Sequence, residues 1–128
     1  MNDNPVPSTV SFESLGVAPA FLDILERKNI TVPTPIQHQS IPLGVEGKDV
    51  IGIAQTGTGK TLAFGIPMIQ RLMTDGGGLV LVPTRELALQ VEESLRRIGT
   101  PRGVKTAVLI GGANMNPQVR ALRDGPHI

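Results

Sequence analysis

The feature that most constrains this chain is an eight-residue loop, Ala54-Gln55-Thr56-Gly57-Thr58-Gly59-Lys60-Thr61. It lies between a continuously apolar stretch, which predicts a strand over 49–54, and an amphipathic one, which predicts a helix over 60–73. Backbone N–H groups around Gly57 and Gly59 can converge on phosphate oxygens only where no Cβ intrudes. A helix opening near Lys60 aims the positive end of its dipole at the same point. In such a loop Lys60 reaches the β- and γ-phosphates, and the Thr61 hydroxyl ligates Mg²⁺. A glycine-rich turn with an incidental Lys-Thr pair is the competing reading, and the strand–loop–helix context disfavours it. Ala54 stands where the general pattern has Gly, so the loop alone leaves open which class of phosphate-binding protein this is.

The rest of the chain repeats the alternation. Pro19 to Lys28 carries apolar residues at helical spacing behind a proline suited to a first turn, with Asn29 as its stop. Thr34 and Pro35 give the next start signal, an N-cap followed by Pro, for a short helix running toward Gly44. Leu79 to Val82 and Val104 to Ile110 read as further buried strands, Arg85 to Ile98 and Asn114 to Arg123 as helices. Strands alternating with helices predict an α/β fold, a parallel sheet flanked by helices, with ligands gathering at the C-terminal ends of strands. Residues 1–11 are polar, contain Pro5 and Pro7, and read as a flexible segment with no secretory pattern.

Composition narrows the class. The 128 residues are 40% hydrophobic and 18% charged, and hold no cysteine, which removes disulfides, thiolate nucleophiles and Cys-type zinc sites. No apolar run approaches the roughly 20 residues of a membrane span, and the expected compartment is cytoplasmic. Fifteen Gly and eleven Pro imply many fixed turns. The net charge of +1 is uneven: residues 85–128 hold seven basic and four acidic groups, against five and seven before them. That is a weak footprint for a polyanion. His38 and His127 are too isolated to suggest a metal site or catalytic base.

Four stretches in order and spacing resemble the first RecA-like domain of a DEAD-box RNA helicase. Pro33-Thr34-Pro35-Ile36-Gln37 resembles the family's Q motif, and Phe12 lies 17 residues before Asn29, where the family has an isolated aromatic. The loop at 54–61 has the family's A-x-T-G-x-G-K-T form. Pro83-Thr84-Arg85-Glu86-Leu87-Ala88 matches P-T-R-E-L-A, and Gly111-Gly112 matches the GG doublet. The resemblance covers residues 12–128 and implies a P-loop NTPase that binds ATP, or ADP and AMP, with Mg²⁺. It also implies sequence-independent binding of RNA backbone and coupling of ATP hydrolysis to local unwinding of duplexes.

It further implies individual roles. Lys60 and Thr61 would be catalytic, and Thr61 would meet the metal. Phe12, Ile30, Thr34, Gln37 and residues Ala54, Gln55, Thr56, Gly57, Thr58 and Gly59 would join them in binding nucleotide. Pro83, Thr84, Arg85, Gly111 and Gly112 would meet RNA. A carboxamide such as Gln37 can donate to and accept from the adenine edge at once; on position alone it would be a solvated helix residue. Phe12 could equally be plain core, and Arg85 an ion-pair partner of Glu86. Where the family has a Gly-aromatic pair, this chain has Asn29-Ile30, which replaces stacking on the base with apolar contact.

The motif that names the family does not occur here: no predicted strand ends in an acidic residue able to hold the metal and orient water. The expectation is therefore an incomplete domain that binds nucleotide without appreciable hydrolysis by itself. Its sheet edge should be exposed and open to dimerisation, swapping or rearranged pairing. Two rivals stand: a nucleotide- or RNA-binding fragment without turnover, and another P-loop ATPase or kinase.

Overall fold

The computed structural model describes residues 10–72, 74 and 76–128. The flexible segment expected at 1–11 thus falls largely outside the described residues, as does the predicted helix end at Met73. Two compact units divide the chain, one up to Arg71 and one from Leu72.

In the first unit a short 3-10 turn, Glu13–Leu15, closes on Gly16 at φ 90 and leads into α1, Pro19–Arg27, with Pro in its first turn. Beyond the helix Asn29 takes φ 58, the left-handed geometry that Gly usually supplies, while Ile30 N–H reaches back to the Leu25 carbonyl at 2.9 Å. Asn is the commonest substitute there because its short polar side chain tolerates this region. That accounts for its standing in a Gly position.

Helix α2, Pro35–Val45, follows its Thr34 N-cap, and α3, Lys60–Leu72, opens directly from the glycine-rich loop. Pro42 and Pro67 sit inside these helices, where the composition had suggested turns. Pro67 is buried in the α2–α3 contact. A Cβ on Gly44 would come within 2.8 Å of the Pro67 ring, so glycine sets how closely the two helices approach. Phe12, Leu15, Phe21, Leu25, Ile41, Ile66 and Ile69 fill the core. The Gln70 carboxamide accepts from Ala18 N–H at 2.8 Å and donates to Gly16 O at 3.0 Å, fixing the start of α1 against α3.

In the second unit α4, Arg85–Gly99, is capped by Thr84, whose hydroxyl oxygen accepts from Leu87 N–H at 3.2 Å. Val91, Leu95 and Ile98 bury its apolar stripe. A 3-10 turn, Thr100–Arg102, leads past Gly103 to buried Val104. Helix α5, Met115–Arg123, is capped by Asn114, whose side chain accepts from Asn116 N–H at 3.0 Å, and buries no residue. Among the described residues no helix is long and apolar enough to cross a membrane.

The strands expected at 49–54, 79–82 and 104–110 are not formed among the described residues. The segment 49–54 makes no backbone hydrogen bond to another described segment, and Ile51 is 93% exposed. Leu81 is 85% exposed. A strand requires a neighbour whose N–H and C=O groups face its own, and apolar composition specifies only that such a neighbour belongs there. Pairing begins at one place, the chain end. His127 N–H bonds Lys105 O at 2.8 Å, Ala107 N–H bonds Ile128 O at 2.9 Å, and Gly78 N–H bonds His127 O at 2.7 Å. His127 also accepts from Lys105 N–H through Nδ1 at 2.9 Å. A groove of about 230 Å³ continues from there between 79–82 and 106–109, floored by Ala88, Val91 and Leu95.

Candidate functional site

In the first unit the N-terminus of α2 meets the glycine-rich loop through Gln37. This side chain is 3% exposed. Its Oε1 accepts from Thr34 N–H at 3.0 Å, the reach-back half of a capping box, and its Nε2 donates to Gly59 O at 3.2 Å. The reciprocal contact of Thr34 Oγ1 with the Gln37 amide is looser, and this buried oxygen lacks a hydrogen-bond partner of normal geometry. Gly59, at φ 84, lies against both side chains: a Cβ there would strike Gln37 Nε2 and stand 3.2 Å from Thr34 Oγ1. The solvated position that Gln37 would have on helix register alone is therefore excluded.

Gly57, at φ 82, has nothing within 4 Å of where its Cβ would be, so its backbone faces open space. Thr58 Oγ1 donates to Gln55 O at 2.5 Å and ties the loop across its turn. Lys60 is exposed, its Nζ donating to Ala54 O at 2.5 Å, which holds the cation at the loop's first residue. Thr61 is half-buried in the first turn of α3. Phe12 is buried and Ile30 half-buried. The loop thus offers open backbone, one cation and a helix N-terminus at the same end.

The second unit brings Arg85 and Gly112 together. Gly112 has φ 77, and a Cβ there would lie 2.5 Å from Arg85 Nη2 and 3.1 Å from its Cζ, so the guanidinium packs over bare backbone. Arg85 makes no salt bridge among the described residues, to Glu86 or to any other carboxylate. Pro83, Thr84, Arg85, Gly111 and Gly112 are all exposed. One residue of this region gave no signal in the sequence: Gln118, whose carboxamide bonds both backbone groups of Ile110. A single Gln on a helix resembles any solvated residue, because its partners are main-chain atoms.

Residues 34–128 match the family model described as DEAD/DEAH box helicase, and the chain belongs to that family. It is 46% identical over 129 residues to an ATP-dependent rRNA helicase of Yarrowia lipolytica, covering 98% of this chain and 27% of that protein. A DEAD-box ATP-dependent RNA helicase of Streptococcus pneumoniae is 45% identical over 122 residues, with 93% of this chain and 23% of the relative covered. Among solved structures, an RNA helicase of Chaetomium thermophilum bound to ADP superposes with TM-score 0.78 at 38% identity, over 87% of this chain and 29% of that one. A DEAD box protein of Methanococcus jannaschii gives TM-score 0.81 at 34% identity, over 88% and 32%. The fold class is accordingly the α/β, RecA-like P-loop domain of these structures. The chain spans about a quarter of the length of the curated relatives it matches.

Proposed function

We propose that the chain is the nucleotide-binding front part of an ATP-dependent RNA helicase, holding adenine nucleotide on residues 54–61 and Gln37, and RNA backbone on residues 83–85 and 111–112. The observation that carries this reading is the junction at Gly59. Gln37 uses one donor and one lone pair on Gly59 and Thr34, and a carboxamide has a second of each. Those are the groups an adenine edge requires. One side chain would thereby connect base recognition with the loop that receives the phosphates. Lys60 can exchange its bond to Ala54 O for phosphate oxygens, and the backbone at Gly57 is open to them. Mg²⁺ would arrive with the nucleotide and neutralise phosphate charge, with the Thr61 hydroxyl among its ligands.

Backbone recognition by Arg85 and the glycines implies RNA affinity that is independent of sequence and falls with salt. The exposed apolar segments at 49–54 and 79–82 support self-association through an unpaired edge, which light scattering tests; a strictly monomeric species would count against it. The lack of cysteine accords with a cytoplasmic setting.

The central test compares ATP and GTP by calorimetry. Lys60→Ala should abolish detectable binding of both. Gln37→Ala should weaken ATP about tenfold and erase its preference over GTP. Preference left intact in Gln37→Ala would point to another P-loop ATPase or kinase, and binding of RNA with no nucleotide affinity at all would favour a module without turnover.

A further inference from the structure

We infer that Gln118 is a positioning residue for the glycine doublet, setting the loop geometry on which RNA binding through Gly111, Gly112 and Arg85 depends. Its carboxamide treats Ile110 as a neighbouring strand would: Oε1 accepts from Ile110 N–H at 2.9 Å, and Nε2 donates to Ile110 O at 3.1 Å. The same Nε2 donates to Asn114 O at 3.2 Å. Both ends of the turn 110–114 are therefore held from one side chain on α5.

Little else holds that turn. Gly111 and Gly112 form a tight turn whose backbone closure falls short of normal hydrogen-bond geometry, and residues 111–113 are all exposed. Helix α5 buries no residue that could anchor the turn by packing. Gly112 nevertheless takes a defined left-handed conformation beneath the Arg85 guanidinium, and it is this juxtaposition that can present a cation and bare N–H groups to one phosphate. If the turn were free to sample other conformations, the ordering cost would fall on RNA binding. Gln118 removes that cost in advance without touching the nucleic acid.

The inference rests on the RNA reading proposed above, and the test separates the two. Affinity of the full chain for a fluorescein-labelled single-stranded oligouridylate is followed by anisotropy across a salt series, with ATP affinity and exchange of the Ile110 amide measured alongside. Gln118→Met keeps the volume and removes all three bonds. Gln118→Asn keeps the amide but is one methylene too short to reach, and serves if the first variant does not fold. Both should weaken RNA binding roughly tenfold, the loss of one to two net hydrogen bonds' worth of ordering. ATP affinity should stay within about twofold, Ile110 should exchange faster, and the salt dependence should keep its wild-type slope, because no phosphate contact is lost. Arg85→Ala should instead flatten that slope by roughly 0.7, the share of one phosphate on a single strand.

RNA affinity within twofold of wild type in variants whose Ile110 amide has lost protection would overturn the positioning role. So would an equal loss of RNA and ATP affinity, which marks general destabilisation. Should Arg85→Ala leave both affinity and slope unchanged, the RNA reading fails and the role of Gln118 fails with it.

Discussion

The two loops use glycine in the same pattern and differ in what surrounds it. Each has one glycine whose absent Cβ makes room for a side chain, Gly59 under Gln37 and Gly112 under Arg85, and one that faces open space, Gly57 and Gly111. At Gly59 the neighbour is 3% exposed and engaged by two backbone groups, so it cannot retreat. At Gly112 it is the exposed end of a long side chain without a salt bridge among the described residues, and it can swing into solvent. The loop at 54–61 is thus pinned at Gly59 by a buried side chain, while the second loop meets only an exposed one. Rigidity would suit the base and phosphates proposed for the first loop, and an exposed, backbone-level surface the RNA proposed for the second.

Gly59→Ala separates the two most sharply. A non-glycine residue in left-handed geometry costs about 1–2 kcal/mol. Displacing Gln37 also leaves buried polar groups unpaired, at about 1–3 kcal/mol more. The expected loss is about 3 kcal/mol by urea denaturation, accompanied by loss of nucleotide affinity. A loss below about 1 kcal/mol would mean that Gln37 moves freely, and the contrast between the loops would collapse.

Gly112→Ala is expected to be milder. The left-handed strain remains, about 1–2 kcal/mol, but the guanidinium swings away at little further cost because no paired group is left behind. RNA affinity should fall while ATP affinity holds, since Arg85 no longer packs over the doublet. A destabilisation equal to that of Gly59→Ala would show that Arg85 is as fixed as Gln37.

The sequence made the helices legible for a local reason. Pro19 and Thr34-Pro35 are start signals that act within one turn, and each stands where its helix begins. The loop at 54–61 was equally legible, because its demand for small residues is local. Burial of the apolar segments was not, since Ile51 and Leu81 are buried only if other segments lie on both sides of them, and pairing is a property of neighbours. The motif singles out Gln37 but not its burial, which depends on α2 abutting a loop 22 residues further along. Gln118 was invisible for a related reason: it bonds the main chain of Ile110, and main-chain groups are the same at every position in a sequence.

The smallest expected effect is the most discriminating for the surface loop. Gly111 has no left-handed φ and no atom within 4 Å of where its Cβ would lie. Alanine there should leave stability unchanged or raise it by about 0.4–1 kcal/mol, because the unfolded chain loses freedom that the folded backbone does not use. RNA binding reads the same methyl differently. If a phosphate approaches the bare backbone at 111–112, one added Cβ stands in its path, and affinity should drop several-fold with no fall in melting temperature. If Arg85 alone carried the contact, Gly111→Ala would bind RNA like wild type. A loss of affinity without any loss of stability would therefore assign the close approach to the glycine backbone itself, and equal affinity would confine recognition at this loop to the guanidinium.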